Sequence, residues 1–168
     1  MSSDLPPNVD VARMVQSRRS FVGSLPLTRF KRLAESLAAS EGEVAYQLDF
    51  DRDSFGTSML QLKATAQLPL LCQRTLEVYL EPVALDQQLG LIRDESEEAA
   101  LLPEYEALLV GADGHLDLVD VIEDELILAL PLVPTRPGGP LEHIELADDE
   151  MQSPQANPFA ALASLKKH

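Results

Sequence analysis

Little in this chain of 168 residues can carry covalent or metal chemistry. A single cysteine, Cys72, excludes an internal disulfide, and with only three histidines the usual zinc ligand sets are missing. No metal or cofactor is expected. A Gly-rich phosphate loop is also lacking, since Gly138 and Gly139 stand between prolines. The longest apolar run, residues 126–133, is interrupted by Pro131 and is far too short to cross a bilayer. The opening MSSDLPPNVD has no apolar signal region, so a soluble, cytoplasmic protein is expected.

Positive charge is scarce as well. The formal net charge is −15, and bound nucleic acid must be neutralised mainly by Lys and Arg, so the chain as a whole repels phosphate. The distribution is lopsided. Between positions 94 and 135 there are twelve acidic residues and no Lys or Arg, whereas Arg13, Arg18, Arg19, Arg29, Lys31 and Arg32 concentrate in one early segment. An acidic surface serves solubility, or it attracts a basic protein partner. The early cluster is a solvated face or, as the rival reading, an RNA contact with Phe21 and Phe30 nearby.

Catalysis wants a nucleophile beside a base, or carboxylates held at different pKa values. Cys72 with His115 or His143 offers such a pair on paper only, because a lone cysteine in a strand is usually a small core residue. The aspartates lack the histidines that accompany most hydrolytic metal sites. The chain is read as a non-enzyme, with a hydrolase the least favoured alternative.

What is present is a core helix. Over residues 117–130 the side chains of Leu118, Val119, Ile122, Leu126, Ala129 and Leu130 form one broad stripe, and Asp117, Asp120 and Asp124 gather opposite as partner-binding candidates. Asp117 stands at the N-cap, and Pro131 ends the helix. Burying the large apolar residues of the stripe is worth about 10 kcal/mol gross, at ~2 kcal/mol each. Val121 and Leu128 form a second, narrow apolar strip, covered by the C-terminal tail or a partner, or simply exposed. Glu123 and Glu125 lie near the margins of the main stripe, where a carboxylate must reach water or a cation. Arg74 is expected to pair with one of them and bridge sheet to helix.

Elsewhere the chain reads as a loose lead-in over 1–9, then a helix over about 25–39 with Ser24 as cap and Leu27, Phe30, Leu33 and Leu37 inward. Val44, Tyr46, Leu48 and Phe50 alternate, as do Leu60, Leu62, Ala64 and Ala66, predicting a hairpin across DRDSFG. Residues 68–72 and 76–80 suggest another pair, 85–104 an exposed acidic loop, and 105–110 a last strand. The fold class is α+β: a mostly antiparallel sheet of about five strands on the core helix, with the N-terminal helix alongside. Residues 1–134 make one domain, 135–156 a flexible acidic linker, and 157–168 a short helical motif capped by Asn157, opened by Pro158 and lined by Phe159, Leu162 and Leu165. That motif must dock on its own domain or on a partner to be ordered.

These features resemble the YceD family of bacterial proteins. VIEDELILALPLVP, with Glu123, Asp124, Glu125, Leu126, Leu130 and Pro131, resembles the family's most distinctive segment, and NPFAALASLKK resembles its terminal motif. LLCQRTLEV matches more loosely: where family members often carry Cys-X-X-Cys around an Arg, Cys72 and Arg74 remain but Thr75 replaces the second cysteine. One thiolate cannot do the pairwise chemistry of two. The resemblance implies a cytoplasmic factor for the synthesis, processing or stability of large-subunit ribosomal RNA. The expected mechanism is an acidic adaptor for a basic ribosomal or RNA-processing protein, with RNA touched indirectly; direct RNA binding through segment 13–32 is the alternative. Neither membrane nor small-molecule substrate is expected.

Overall fold

The computed structural model describes residues 5–138, and its secondary structure lies within a compact unit, Met1–Arg136. In chain order the elements are β1 (Val9–Asp10), α1 (Val11–Gln16), β2 (Ser20–Pro26), a 3-10 turn (Leu27–Arg29), α2 (Lys31–Ala34), β3 (Glu43–Arg52), β4 (Ser58–Leu71) and β5 (Val78–Ile92). A 3-10 segment (Glu95–Ala100), β6 (Glu106–Leu109), β7 (His115–Leu116) and α3 (Leu118–Leu128) follow. β2 to β6 form one sheet in sequence order, antiparallel except for the last pair, β5 with β6; β1 and β7 make a small antiparallel ribbon. The architecture is α+β, with a helical segment near each end of the unit and a mostly antiparallel five-stranded sheet.

Alternation decides which face of the sheet is covered. Val44, Tyr46, Leu48 and Phe50 of β3 and Leu60, Leu62, Ala64, Ala66 and Leu68 of β4 are buried. They meet Leu27, Phe30, Leu33, Leu118, Val121, Ile122 and Leu126 in one core. The opposite face carries Gln61, Lys63, Thr65 and Gln67, and Gln61 and Lys63 both reach Asp86 across the β4–β5 ladder.

α3 begins as expected, with the Asp117 carboxylate accepting from the Val119 and Asp120 amides. Its apolar coverage differs from a one-stripe helix. Val121 is buried, because α3 packs on α2 as well as on β5, whereas Leu128 is exposed, Ala129 is exposed and Leu130 only half-buried.

Three segments depart from the reading above. The helix of 25–39 contracts to Leu27–Arg29 and Lys31–Ala34, because the residues before Leu27 form β2; Ser24, the expected cap, instead hydrogen-bonds Glu43 across β2–β3. Residues 5–9 are no loose lead-in, since Leu5 and Val9 are buried and Val9 pairs with Leu116. The 85–104 loop is largely structured. β5 continues to Ile92 because Gly90, without a side chain, lets the methyl groups of Leu101 lie where a Cβ would meet them at 2.8 Å. The acidic run inside that segment is nevertheless exposed.

Candidate functional site

The carboxylates of α3 have work inside the molecule. Phe30 occupies the N-cap of α2 and offers no side-chain acceptor. Glu123 supplies one from across the fold: its Oε1 accepts from the backbone amides of Arg32 at 2.7 Å and Leu33 at 3.0 Å, the second and third residues of α2. Its Oε2 accepts from Arg32 Nε at 3.0 Å, and Glu123 is 3% exposed. Arg32 also bonds Asp124 at 2.5 Å and approaches Asp120 at 3.9 Å. Hydrogen bonds to Asp124 first and Glu123 second raise the Arg32 pKa above its ordinary value. Thus Asp117 caps α3, while Asp120 and Asp124 flank the half-exposed guanidinium of Arg32 rather than forming an unoccupied acidic face. Arg32, a candidate for RNA, is held here instead.

Arg74 does not bridge to Glu123 or Glu125. It lies in the 72–77 turn at the far end of the β4–β5 hairpin, where one of its terminal nitrogens donates to the Arg136 carbonyl at 3.0 Å; its Nε is buried without a hydrogen-bond partner among the described residues. Glu125, 7% exposed, has no hydrogen bond or ion pair among them either, and burial first, then Glu106, raises its pKa. The same turn buries Cys72, whose sulfur accepts from the Arg136 amide at 3.3 Å. That bond, followed by those from Thr75, lowers the thiol to about 6. Among the described residues, no group of three or more His, Cys, Asp and Glu side chains could hold a metal ion.

Two charged surfaces remain. The first is acidic: Glu95, Glu97 and Glu98 on the 3-10 segment, with Asp94, Glu104 and Glu106, are all exposed. Glu98, Glu104 and Glu106 line an open groove of about 500 Å³, together with the half-buried Leu101 and Leu102, along the edge strand β6. Two of these residues have structural duties, as Asp94 caps the 3-10 segment and Glu97 accepts from the Arg93 amide. The second surface surrounds α1. Arg13 and Arg19 line a groove of about 550 Å³ with Phe21; Arg18 and Arg52 line another of about 470 Å³ beside α1. Arg52 and Arg93 share a third of about 280 Å³. Arg29 and Lys31 are exposed on the 3-10 turn and on α2.

Sequence reasoning missed Arg52, Arg93, Glu98, Glu104 and Glu106 as site residues. The signal for the arginines was their place at strand ends, since β2 begins, β3 ends, β4 begins and β5 ends at one end of the sheet. Asn157, Pro158, Phe159, Leu162 and Leu165, with the linker from residue 139 onward, lie outside the described residues.

The fold and these surfaces define a small α+β protein whose exposed chemistry is electrostatic, with cations at one sheet end and carboxylates along one edge. No helix among the described residues is long and apolar enough to cross a membrane. Residues 60–166 match the family described as large ribosomal RNA subunit accumulation protein YceD. A protein of that name from Haemophilus influenzae is 33% identical over 172 residues, spanning 97% of each chain. The chain belongs to the YceD family. No solved structure matches it.

Proposed function

We propose that this protein supports the accumulation of large-subunit ribosomal RNA as a non-catalytic adaptor, whose acidic edge receives a cationic segment of a ribosomal or RNA-processing protein in the cytoplasm. The observation that carries this reading is the open groove beside β6, lined by Glu98, Glu104 and Glu106 together with the half-buried Leu101 and Leu102. A cluster of exposed carboxylates suits a Lys- or Arg-rich segment, because the long basic side chains meet the carboxylates with their heads while their stems lie along the half-buried Leu101 and Leu102. Among the described residues β6 is an edge strand, so its outer edge offers backbone partners to an extended segment. No Lys or Arg interrupts the acidic sequence from Asp94 to Thr135.

The test is E95Q/E98Q/E104Q, which removes exposed carboxylates and spares Asp94 and Glu97. In cells lacking the protein, the wild-type chain restores the ratio of large- to small-subunit ribosomal RNA and the variant does not. Crosslinked capture recovers a basic protein with the wild type, less of it with the variant, and less as salt rises past the range where the Debye length is about 10 Å. Restoration and salt-resistant capture by the variant equal to wild type would remove the acidic edge from the mechanism.

A further inference from the structure

We propose that the arginine-rimmed surface around α1, built by Arg13, Arg18, Arg19, Arg52 and Arg93, binds the phosphodiester backbone of RNA. It lies apart from the acidic groove and rests on different residues. These arginines come from four places in the chain and meet only because the strand ends coincide: Arg18 and Arg19 precede β2, Arg52 ends β3, and Arg93 follows β5. Arg13 reaches the same region from α1. In a chain of net charge −15, a local concentration of this sign is the opposite of what the average composition would produce.

Asp10 and Asp113 line the same grooves as Arg13, Arg52 and Arg93, and the carboxylates there each accept a hydrogen bond within the molecule. Asp10 caps α1 by accepting from the Arg13 amide, Asp51 accepts from the Arg52 amide and pairs with Arg18 at 3.1 Å, and Asp113 accepts from the His115 amide. The guanidinium groups of Arg13, Arg19 and Arg93 have no carboxylate partner among the described residues. All three are exposed. Such groups neutralise phosphate without first breaking an internal ion pair.

The surface is also shaped in advance. Arg18 takes a left-handed backbone conformation at φ 48°, and the amides of Arg18 and Arg19 bond back to the Val15 and Met14 carbonyls. The Arg19 carbonyl accepts from the Phe50 amide, so this turn is fixed to the sheet. Arg19 carries its guanidinium 5.7 Å from the centre of the Phe21 ring, which stands edge-on to Phe50. A guanidinium held over an aromatic ring gives an unpaired base a place to stack beside the phosphate contacts. α1 has only six residues and the surface is divided among three separate grooves, so a flexible single strand suits it better than a duplex.

The experiment measures fluorescence anisotropy of a labelled, unstructured 20-nucleotide RNA with the full-length protein at 50 mM salt. About four neutralised phosphates give a slope near −3 in the logarithm of affinity against the logarithm of salt. R13E/R19E/R93E should weaken binding at least tenfold and flatten that slope, while R29E/K31E changes the net charge by two-thirds as much at a different place and should weaken it less than threefold. R13A/R19A/R93A repeats the first arm without reversing charge. E95Q/E98Q/E104Q should leave RNA affinity within threefold of wild type, which separates this proposal from the acidic adaptor. No binding by the wild-type protein, or equal weakening by the α1-surface and α2 variants, would overturn the proposal; so would full RNA affinity in the α1-surface variants.

Discussion

Replacing Glu123 by Ala should be far more damaging than truncating the arginine it pairs with. Glu123 is 3% exposed and holds three donors: the amides of Arg32 and Leu33 and the Arg32 Nε. Two of the three belong to the backbone at the start of α2, where Phe30 provides no cap. Leu33 is fully buried, so its orphaned amide alone costs about 1–3 kcal/mol. The loosened Arg32 amide and the void left by the carboxylate bring the expected loss for E123A to ~3 kcal/mol. With a urea m-value of ~2 kcal/mol per molar, the midpoint should fall by about 1.5 M. R32A removes one half-exposed guanidinium and leaves the carboxylate bonded to both amides, so it should lose well under half as much. E123Q, which keeps an oxygen for the amides but turns an NH2 towards Arg32, should fall between them. Urea unfolding of the three variants at pH 7 decides. Equal losses for E123A and R32A would mean that the ion pair, and not the backbone clasp, fastens α2 to α3.

Burial, followed by the nearby Glu106, raises the pKa of Glu125 above its ordinary 4.5. A carboxyl whose folded pKa is raised destabilises the fold as pH rises from its unfolded value through the folded one, so E125Q should raise the urea midpoint at pH 7 and leave it unchanged at pH 4; a gain of the same size at both pH values would refute the assignment. Cys72 runs the other way. Hydrogen bonds from the Arg136 amide and Thr75 hold it at about 6 against an ordinary 9.0, so its contribution is complete above 9.0 and lost as pH falls through about 6. Relative to C72A, the wild-type midpoint should therefore climb between pH 6 and pH 9, and a flat difference across that interval would show that the thiol stays protonated.

The sequence disclosed the elements whose pattern is local. β3 and β4 alternate cleanly, and Asp117 announces α3 with its own side chain. What it concealed was written in trans. The cap of α2 is a glutamate ninety positions away, so Phe30 to Ala34 read as part of a longer helix capped by Ser24, which lies instead in β2. Arg74 misled for a related reason: it lies in the part of the sequence that suggested a sheet-to-helix bridge, but the hairpin carries it past the end of β3 to the 134–136 exit.

The charge asymmetry was visible in the sequence, and with it Arg13, Arg18 and Arg19, but not the Arg52, Arg93, Glu98, Glu104 and Glu106 that the fold adds. Aspartates on a helix that packs on two sides become structural, since a packed helix brings donors within reach; here Asp120 and Asp124 flank Arg32. Charges placed beyond the last rung of a strand, by contrast, have no rung to satisfy and face solvent. Arg18, Arg19 and Arg93 fall just outside their strands, Arg52 on a final rung, and Glu95, Glu98 and Glu104 between β5 and β6. Strand ends and crossovers are therefore where this fold keeps ionised groups available for another molecule. Because β2 to β5 are successive antiparallel neighbours, the start of β2 and the ends of β3 and β5 must fall at one end of the sheet. Cations separated by as many as eighty positions in the chain thus become neighbours through register alone.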